Sequence, residues 1–248
     1  MRLFGLIGFP LGHSFSQKFF TEKFEREGIK NCSYQNFPLS SIDQLKDLLA
    51  THPNLEGFNI TIPYKEQVFP FIDQQTDAVQ KIGACNCVRI VDGQLIGYNT
   101  DVKGFEVSLR KKLQPKHNTA LVLGTGGAAK AVVYALQQLN ISYKIVSRKT
   151  NPEANVISYA ELTHDVIAAH KLIVNTTPLG TYPNVNECAD IPYEALTPDH
   201  YLFDLVYNPS KTLFLQKGEA QGATIENGHE MLEIQAEESW KIWNKSSI

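Results

Sequence analysis

The sequence predicts an α/β protein of two domains. Three observations carry that expectation. An unbroken apolar strand in mid-chain runs into a glycine turn and a helix; strands alternate with amphipathic helices over the first hundred residues; and 248 residues are enough for two cores of ordinary size. The elements follow in order. Arg2 to Gly8 reads as a short strand, and Ser14 to Glu27 as a helix that puts Phe15, Phe19, Phe20 and Phe24 on one broad core face before Gly28 stops it. Cys32 to Phe37 is a second strand, Ile42, Leu45, Leu48 and Leu49 form the stripe of a second helix, and Phe58 to Ile62 is a third strand ended by Pro63. A helix around Thr76 to Ile82 precedes Val88 to Gly97, where Asp92-Gly93 is a two-residue hairpin turn. Asn99-Thr100-Asp101 opens a helix to about Leu113, and Gln114 to Asn118 is a linker.

The segment from Thr119 to Gln137 then reads as strand, glycine turn and helix. Ala120 to Leu123 is apolar throughout, as expected of a parallel strand covered on both faces. Gly124 allows a tight turn, Gly126 lets backbone approach a pyrophosphate, and Ala129, in the third small position, lets the helix pack close to the strand. Free amides and the helix dipole converge there, so the segment is a candidate dinucleotide site of Rossmann type. The following strand, Ser142 to Lys149, ends about 20 residues beyond the glycines, where an acidic residue would take the ribose hydroxyls of NAD. The chain offers Ser147, Arg148 and Lys149 there, a set that suits a 2′-phosphate and favours NADP(H). Later strands are expected near Val156 to Ser158, Lys171 to Asn175 and Tyr201 to Leu205, with a final helix from about Gly228 to Lys245.

Composition excludes more than it selects. A net charge of −3 with no basic run gives no footprint for nucleic acid, and the partner is expected to be a small molecule. No apolar stretch approaches the ~20 residues needed to span a bilayer and no leader pattern opens the chain, so a cytoplasmic protein without membrane attachment is expected. Cys32, Cys85, Cys87 and Cys188 are too few and too scattered for a disulfide scaffold or a zinc set, and no metal is expected.

Polar residues gather at the ends of the predicted strands in the first domain. Ser14 and Ser16 follow the first strand; Asn59 and Thr61 alternate along the third, so both point to one face, with Lys65 beyond Pro63; Asn86 lies between two cysteines, and Asp101 follows the hairpin. Singly, each has an ordinary explanation as a cap, a turn or a surface charge. Together they would make a pocket for a small polyhydroxylated acid.

The run Gly8-x-Pro-x-x-His-Ser-x-Ser16, then Asn59-Ile-Thr-Ile-Pro-Tyr-Lys65, Gly83-Ala-Cys-Asn86, Asn99-Thr-Asp101, Gly124-x-Gly-Gly-Ala128 and Asn227-Gly-x-x-Met-Leu-x-x-Gln235 resembles the shikimate dehydrogenases. The match is collinear over nearly the whole chain. The resemblance implies a substrate domain, residues 1–100 and 229–248, and an NADP-binding Rossmann domain, residues 101–228, with the active site in the cleft between them. It implies NADPH-dependent reduction of 3-dehydroshikimate to shikimate by a monomer or homodimer. It would give Lys65 and Asp101 the catalytic roles, Ser14 and Ser16 the substrate carboxylate with help from Tyr207, and the ring hydroxyls to Asn59, Thr61, Asn86, Asp101 and Gln235. Gly124, Gly126, Gly127 and Ala128 would hold the pyrophosphate, and Ser147, Arg148 and Lys149 the 2′-phosphate. A relative that also takes quinate or uses NAD is the alternative, and a non-catalytic dinucleotide-binding module is a third reading.

Three departures from the family pattern stand out. Gln17 takes the place of a common Pro, Ser147-Arg148-Lys149 replaces Asn-Arg-Thr, and Glu230 and Ile234 replace glycines. Glu230 is expected to be tolerated by pointing to solvent or by pairing with a Lys.

Overall fold

A computed structural model describes residues 1–11, 14–151 and 155–245. His13 of the first motif lies outside the described residues. The chain divides into two units, Met1–Thr100 with Gln235–Ile248, and Asp101–Ile234. Residues 229–234, expected with the first domain, group with the second unit.

The first unit contains β1 (Arg2–Gly8), α1 (Phe15–Arg26), β2 (Cys32–Pro38), α2 (Leu45–Thr51), β3 (Leu55–Ile60), β4 (Gln74–Gln75), α3 (Asp77–Ile82), β5 (Cys87–Val91) and β6 (Gln94–Tyr98). Its sheet runs β2-β1-β3-β5-β6-β4. The expected hairpin is an antiparallel pair, β5 with β6, whose turn residues Asp92 and Gly93 both have positive φ, 51° and 79°. β1 is flanked by two parallel neighbours and buried on both faces. Its alternation sends Leu3 and Ile7 into one core with Phe58, Ile60 and Val88, and Phe4 and Leu6 into another with Phe20 and Phe24 of α1. The third strand starts at Leu55 rather than Phe58 and ends at Ile60, before Pro63.

The second unit begins with α4 (Asp101–Arg110) and continues through β7 (Thr119–Leu123), α5 (Gly127–Gln138), β8 (Ser142–Ser147), β9 (Val156–Ser158), α6 (His164–Ala169), β10 (Leu172–Asn175), β11 (Tyr201–Asp204), α7 (Leu213–Ala220) and β12 (Thr224–Glu226). The strands form a wholly parallel sheet in the order β12-β11-β10-β7-β8-β9, which is the doubly wound arrangement. Ala120 and Val122 face one core and Leu121 and Leu123 the other, as the unbroken apolar run requires. The order reverses between β7 and β10, the place where such sheets open a crevice for a ligand.

The last helix, α8 (His229–Trp243), starts in the second unit and continues into the first. In the first unit its Ala236, Ile242 and Trp243 complete the core against Phe4, Phe20 and Tyr34. Trp243 Nε1 donates to the Val88 carbonyl at 2.9 Å. Lys23 of α1, only 4% exposed, donates to Glu27 at 2.8 Å and to both oxygens of Glu237 on α8 at 2.9 Å. That buried clamp ties the helix bearing Ser16 to the helix bearing Gln235.

Candidate active site

In the first unit the polar residues arise at strand and helix ends because backbone groups need partners there. Ser14 is the N-cap of α1, and its Oγ accepts from Gln17 N at 3.3 Å. Because Oγ is the acceptor in that bond, its proton stays available for another partner. Ser16 meets the hydroxyl of Tyr34, whose ionisation is pushed well up by burial and only partly opposed by that serine. Thr61 follows β3, and its amide donates to the carbonyl of Ile7 at 3.0 Å. Lys65 is half-buried and stands next to Tyr64, which is 3% exposed and donates its hydroxyl to the Leu39 carbonyl at 2.5 Å. The Lys65 carbonyl accepts from Cys85 N at 2.8 Å. The backbone under this lysine is therefore fixed on two sides.

Asn59, Asn86 and Gln235, 4%, 3% and 6% exposed, are joined through residues to which the motifs gave no role. Tyr34 donates to Asn59 Oδ1 at 3.0 Å, and Asn59 Nδ2 donates to Ser239 Oγ at 2.9 Å and to the Asn86 carbonyl at 3.3 Å. Thr100 Oγ1 lies 3.0 Å from Asn86 Nδ2 and 3.2 Å from Gln235 Oε1. Five residues of the expected substrate set, Ser16, Asn59, Asn86, Gln235 and, through its cap on the same helix, Ser14, thus belong to one connected region. Tyr34 and Ser239 are ordinary polar residues inside β2 and α8 that no local signal marks, whereas Thr100 stands within the Asn99-Thr100-Asp101 motif, which gave it no role of its own.

The second unit supplies the remaining residues. Asp101 is the first residue of α4 and is buried at 7% exposure. At the glycine turn Gly124 has φ +113°, and a Cβ there would come within 2.7 Å of Thr176 Oγ1, so only glycine fits. Gly126 is the N-cap of α5 and has no side-chain cap bond. A Cβ at Gly126 would meet nothing within 4 Å, which leaves the helix start open to an approaching group. No acidic residue occupies the first turn of α5, and Lys130 follows it. These amides can hold a pyrophosphate. Gly127 and Ala128 begin the helix, and Ala129 is buried beneath it at 2% exposure.

β8 ends at Ser147, with Arg148 and Lys149 exposed just beyond. Glu161, in the turn that follows β9, is committed: it accepts from the amide and the hydroxyl of Ser158 at 2.8 Å each, and those bonds hold it below the usual carboxylate range. The strand end thus offers two cations and a serine, which fits a phosphorylated ribose. Tyr207, beyond β11, is half-buried, and that burial raises its phenol.

A further cluster closes the ends of β10 and β11. Asp204 accepts from Thr212 Oγ1 at 2.5 Å, Asn175 Nδ2 at 2.9 Å and Val206 N at 3.0 Å, yet burial pushes its carboxyl up to about 6. Asn175 Oδ1 takes the amide and hydroxyl of Thr177, at 3.1 and 2.7 Å. Thr176 Oγ1 donates to the Leu123 carbonyl at 2.7 Å. The loop after β10 is thereby locked against the glycine turn. Among the described residues no group of three or more His, Cys, Asp or Glu is placed to hold a metal ion, and the four cysteines are free thiols.

A family model described as the shikimate dehydrogenase substrate binding domain matches residues 6–88. Shikimate dehydrogenase (NADP(+)) of Desulforamulus reducens is 34% identical over 96% of this chain and 88% of its own. The chain belongs to the shikimate dehydrogenase family. Its fold agrees with that of solved members. Shikimate 5-dehydrogenase of Thermus thermophilus, in complex with NADP(H) and shikimate, superposes with a TM-score of 0.87 at 29% identity, covering 98% of this chain and 94% of that one. Quinate dehydrogenase of Corynebacterium glutamicum, in complex with NAD, gives 0.85 at 29% identity over 98% and 93%. Both of these proteins span essentially the same length as this chain.

Proposed function

We propose that this protein is an NADP-dependent oxidoreductase that reduces 3-dehydroshikimate to shikimate, reversibly, on the route to chorismate and the aromatic amino acids. One observation carries the reading: Ser16, Asn59, Asn86 and Gln235 of the first unit are linked through one buried network, while the second unit presents an open, acid-free glycine turn with two exposed cations at the adjoining strand end. The first is a recognition surface for a polyhydroxylated ring. The second suits NADP(H), with Gly124, Gly126, Gly127 and Ala128 at the pyrophosphate and Ser147, Arg148 and Lys149 at the 2′-phosphate.

Held by the glycine turn and the Ser147-Arg148-Lys149 strand end, NADPH would supply the hydride that the ketone carbon needs. Lys65 is the group that stabilises the developing negative charge on the ketone oxygen and gives it a proton. Asp101 acts as its carboxylate partner in catalysis, orienting an ammonium and a ring hydroxyl. Ser14, Ser16 and Tyr207 bind the carboxylate through neutral hydroxyls, so its recognition rests on hydrogen bonds rather than an ion pair. Asn59, Thr61, Asn86 and Gln235 serve the ring hydroxyls. Arg148 and Lys149, in place of an acidic residue, favour this reading over a quinate enzyme using NAD.

The residues recognise small molecules only, and the protein acts as a monomer or homodimer. Dependence on NADPH, a reductant held inside cells, supports a cytoplasmic location. Among the described residues no helix is long and apolar enough to cross a membrane. The test is absorbance at 340 nm with shikimate and NADP⁺, beside quinate and NAD⁺. Fast, NADP-selective turnover of shikimate is expected; folded protein inert with every pair would overturn the reading.

A further inference from the structure

Asn59, near the end of β3, is held so that the two ends of its amide cannot be exchanged. Its Nδ2 faces the Asn86 carbonyl at 3.3 Å, a backbone oxygen that can only accept and that also takes the Ile60 amide at 2.8 Å. The same nitrogen donates to Ser239 Oγ at 2.9 Å. Ser239 lies on α8 without exposed surface and gives its own proton to the Gln235 carbonyl, one turn back, at 2.9 Å, a shorter contact than the 3.3 Å to Thr100 Oγ1. Toward Asn59, therefore, Ser239 accepts. A primary amide carries two hydrogens, and both of those on Asn59 are spent inside the protein.

The oxygen end is fixed as firmly. Asn59 Oδ1 takes the Tyr34 hydroxyl at 3.0 Å, and the direction of that bond is forced, because an amide oxygen can only accept. Tyr34 is buried with its ring stacked on Phe20, the centroids 4.6 Å apart. Turned over, Asn59 would set its oxygen against the Asn86 carbonyl, two acceptors facing each other in a buried site. An amide oxygen accepts two hydrogen bonds, and Tyr34 supplies one of them. With its hydrogens committed, Asn59 can serve a ligand only by accepting.

We propose that Asn59 reads the substrate as a hydrogen-bond acceptor, and that Ser239 is the positioning residue that keeps it one by holding its amide nitrogen. The ligand group it meets must then bring a proton of its own. 3-Dehydroshikimate and shikimate differ at a single oxygen, ketone in one and hydroxyl in the other, whereas the remaining ring hydroxyls keep their protons throughout. Asn59 accordingly belongs to one of those unchanging hydroxyls, and the reacting oxygen is left to groups that donate. The inference deepens the dehydrogenase reading and rests on it.

The test uses shikimate analogues in which one or the other unchanging hydroxyl is replaced by fluorine, which cannot donate, or by hydrogen. Dissociation constants are measured by titration calorimetry. At one of these positions the fluoro analogue is expected to bind wild type about tenfold or more weakly than shikimate, and within about threefold of the deoxy analogue. Fluoro analogues that both bind within about threefold of shikimate would overturn the proposal. Other acceptors can also read a hydroxyl, so the variants assign the effect. In Asn59→Ala the preference for hydroxyl over fluorine at that position should shrink to within about threefold, and a preference that persists would remove Asn59 from that role. Ser239→Ala, at a position where alanine favours the helix, leaves the amide nitrogen unpinned and serves also if Asn59→Ala does not fold. It should weaken shikimate about threefold or more and leave the fluoro analogue nearly as it was, since only the hydroxyl loses by a misplaced acceptor. Equal losses for both ligands, the signature of a merely structural serine, would overturn its assignment. A wild-type protein without shikimate turnover would sink the dehydrogenase reading and this inference with it, whereas an active wild type with unaltered preferences in the variants would remove this inference alone.

Discussion

Glu230, in the first turn of α8, forms an ion pair with Lys111 just past the end of α4, and the same carboxylate accepts from Ser108 of α4 at 3.4 Å. Of the two ways expected for a Glu in place of a glycine to be tolerated, pairing with a lysine is the one realised. The carboxylate is engaged, and it is therefore not expected to hinder the cofactor. Glu230→Gly should leave KM for NADP⁺ within about threefold and lower stability by about 1–2 kcal/mol, the sum of a glycine in a helix and a partly exposed ion pair. Cofactor kinetics and a thermal melt check both parts, and a large gain in NADP⁺ affinity would contradict the pairing argument.

Lys65 stands on a backbone fixed by Tyr64 and Cys85, so removing its side chain should not disturb the segment that carries it. Lys65→Ala is expected to lower kcat at least about a hundredfold, the usual scale of an acid–base contribution. NADP⁺ binding, measured by quenching of protein fluorescence, should be unchanged. A near-normal kcat would take Lys65 out of the mechanism.

Arg148 is exposed beyond the end of β8. Arg148→Ala should raise KM for NADPH about tenfold or more and leave that for NADH nearly as it was, since only the former carries the 2′-phosphate. Parallel losses with both cofactors would show that the guanidinium serves the adenine or the fold instead.

Asp204 provides a pH dependence whose sign can be fixed in advance. Burial raises its carboxyl from 3.8 to about 6 in the fold, so the folded chain takes up a proton before the unfolded chain does. Its contribution is fully present below the unfolded value and is lost as pH rises through about 6. Urea midpoints of wild type, taken relative to Asp204→Asn, should therefore shift in favour of wild type as pH falls from about 7 to about 4. A difference that stays flat across that window would mean that the carboxyl is not perturbed by burial.

β3 approaches α8 closely at Gly57. A Cβ there would lie 2.3 Å from Trp243 Nε1 and 2.8 Å from the Val88 carbonyl that this indole reaches. Gly57→Ala should cost about 1–3 kcal/mol by displacing Trp243. Loss of near-ultraviolet circular dichroism from the tryptophan, together with a lower melting temperature, is the signature to look for; an unchanged melt would show that the helix end yields freely.

The strands of the second unit were legible because a parallel strand buried on both faces must be apolar throughout, as Ala120 to Leu123 is. The hairpin was legible because Asp92-Gly93 adopts the positive φ values that few residue pairs tolerate. α6 and α7 could not be placed: six and eight residues give too few turns for a periodic stripe to stand out. The two-residue β4 is polar and takes its strand geometry from β6, so nothing in its own residues announces it. At the site, motif spacing selected Asn59, Asn86 and Gln235 but could not select Tyr34 and Ser239, and it passed over Thr100 although the Asn99-Thr100-Asp101 motif contains it. Their importance lies in contacts such as that between Asn59 and Ser239, 180 positions apart, which no local pattern encodes.

Because α8 follows the second unit in sequence yet supplies Ala236, Ile242 and Trp243 to the core of the first, the order of synthesis is not the order of completion. When Thr100 has left the ribosome, Phe4, Phe20 and Tyr34 still lack the helix that covers them. At roughly 5–20 residues per second they wait on the order of ten seconds while the second unit is made. The nascent chain thus carries an uncovered aromatic face through most of translation, and this interval is where a chaperone would find it.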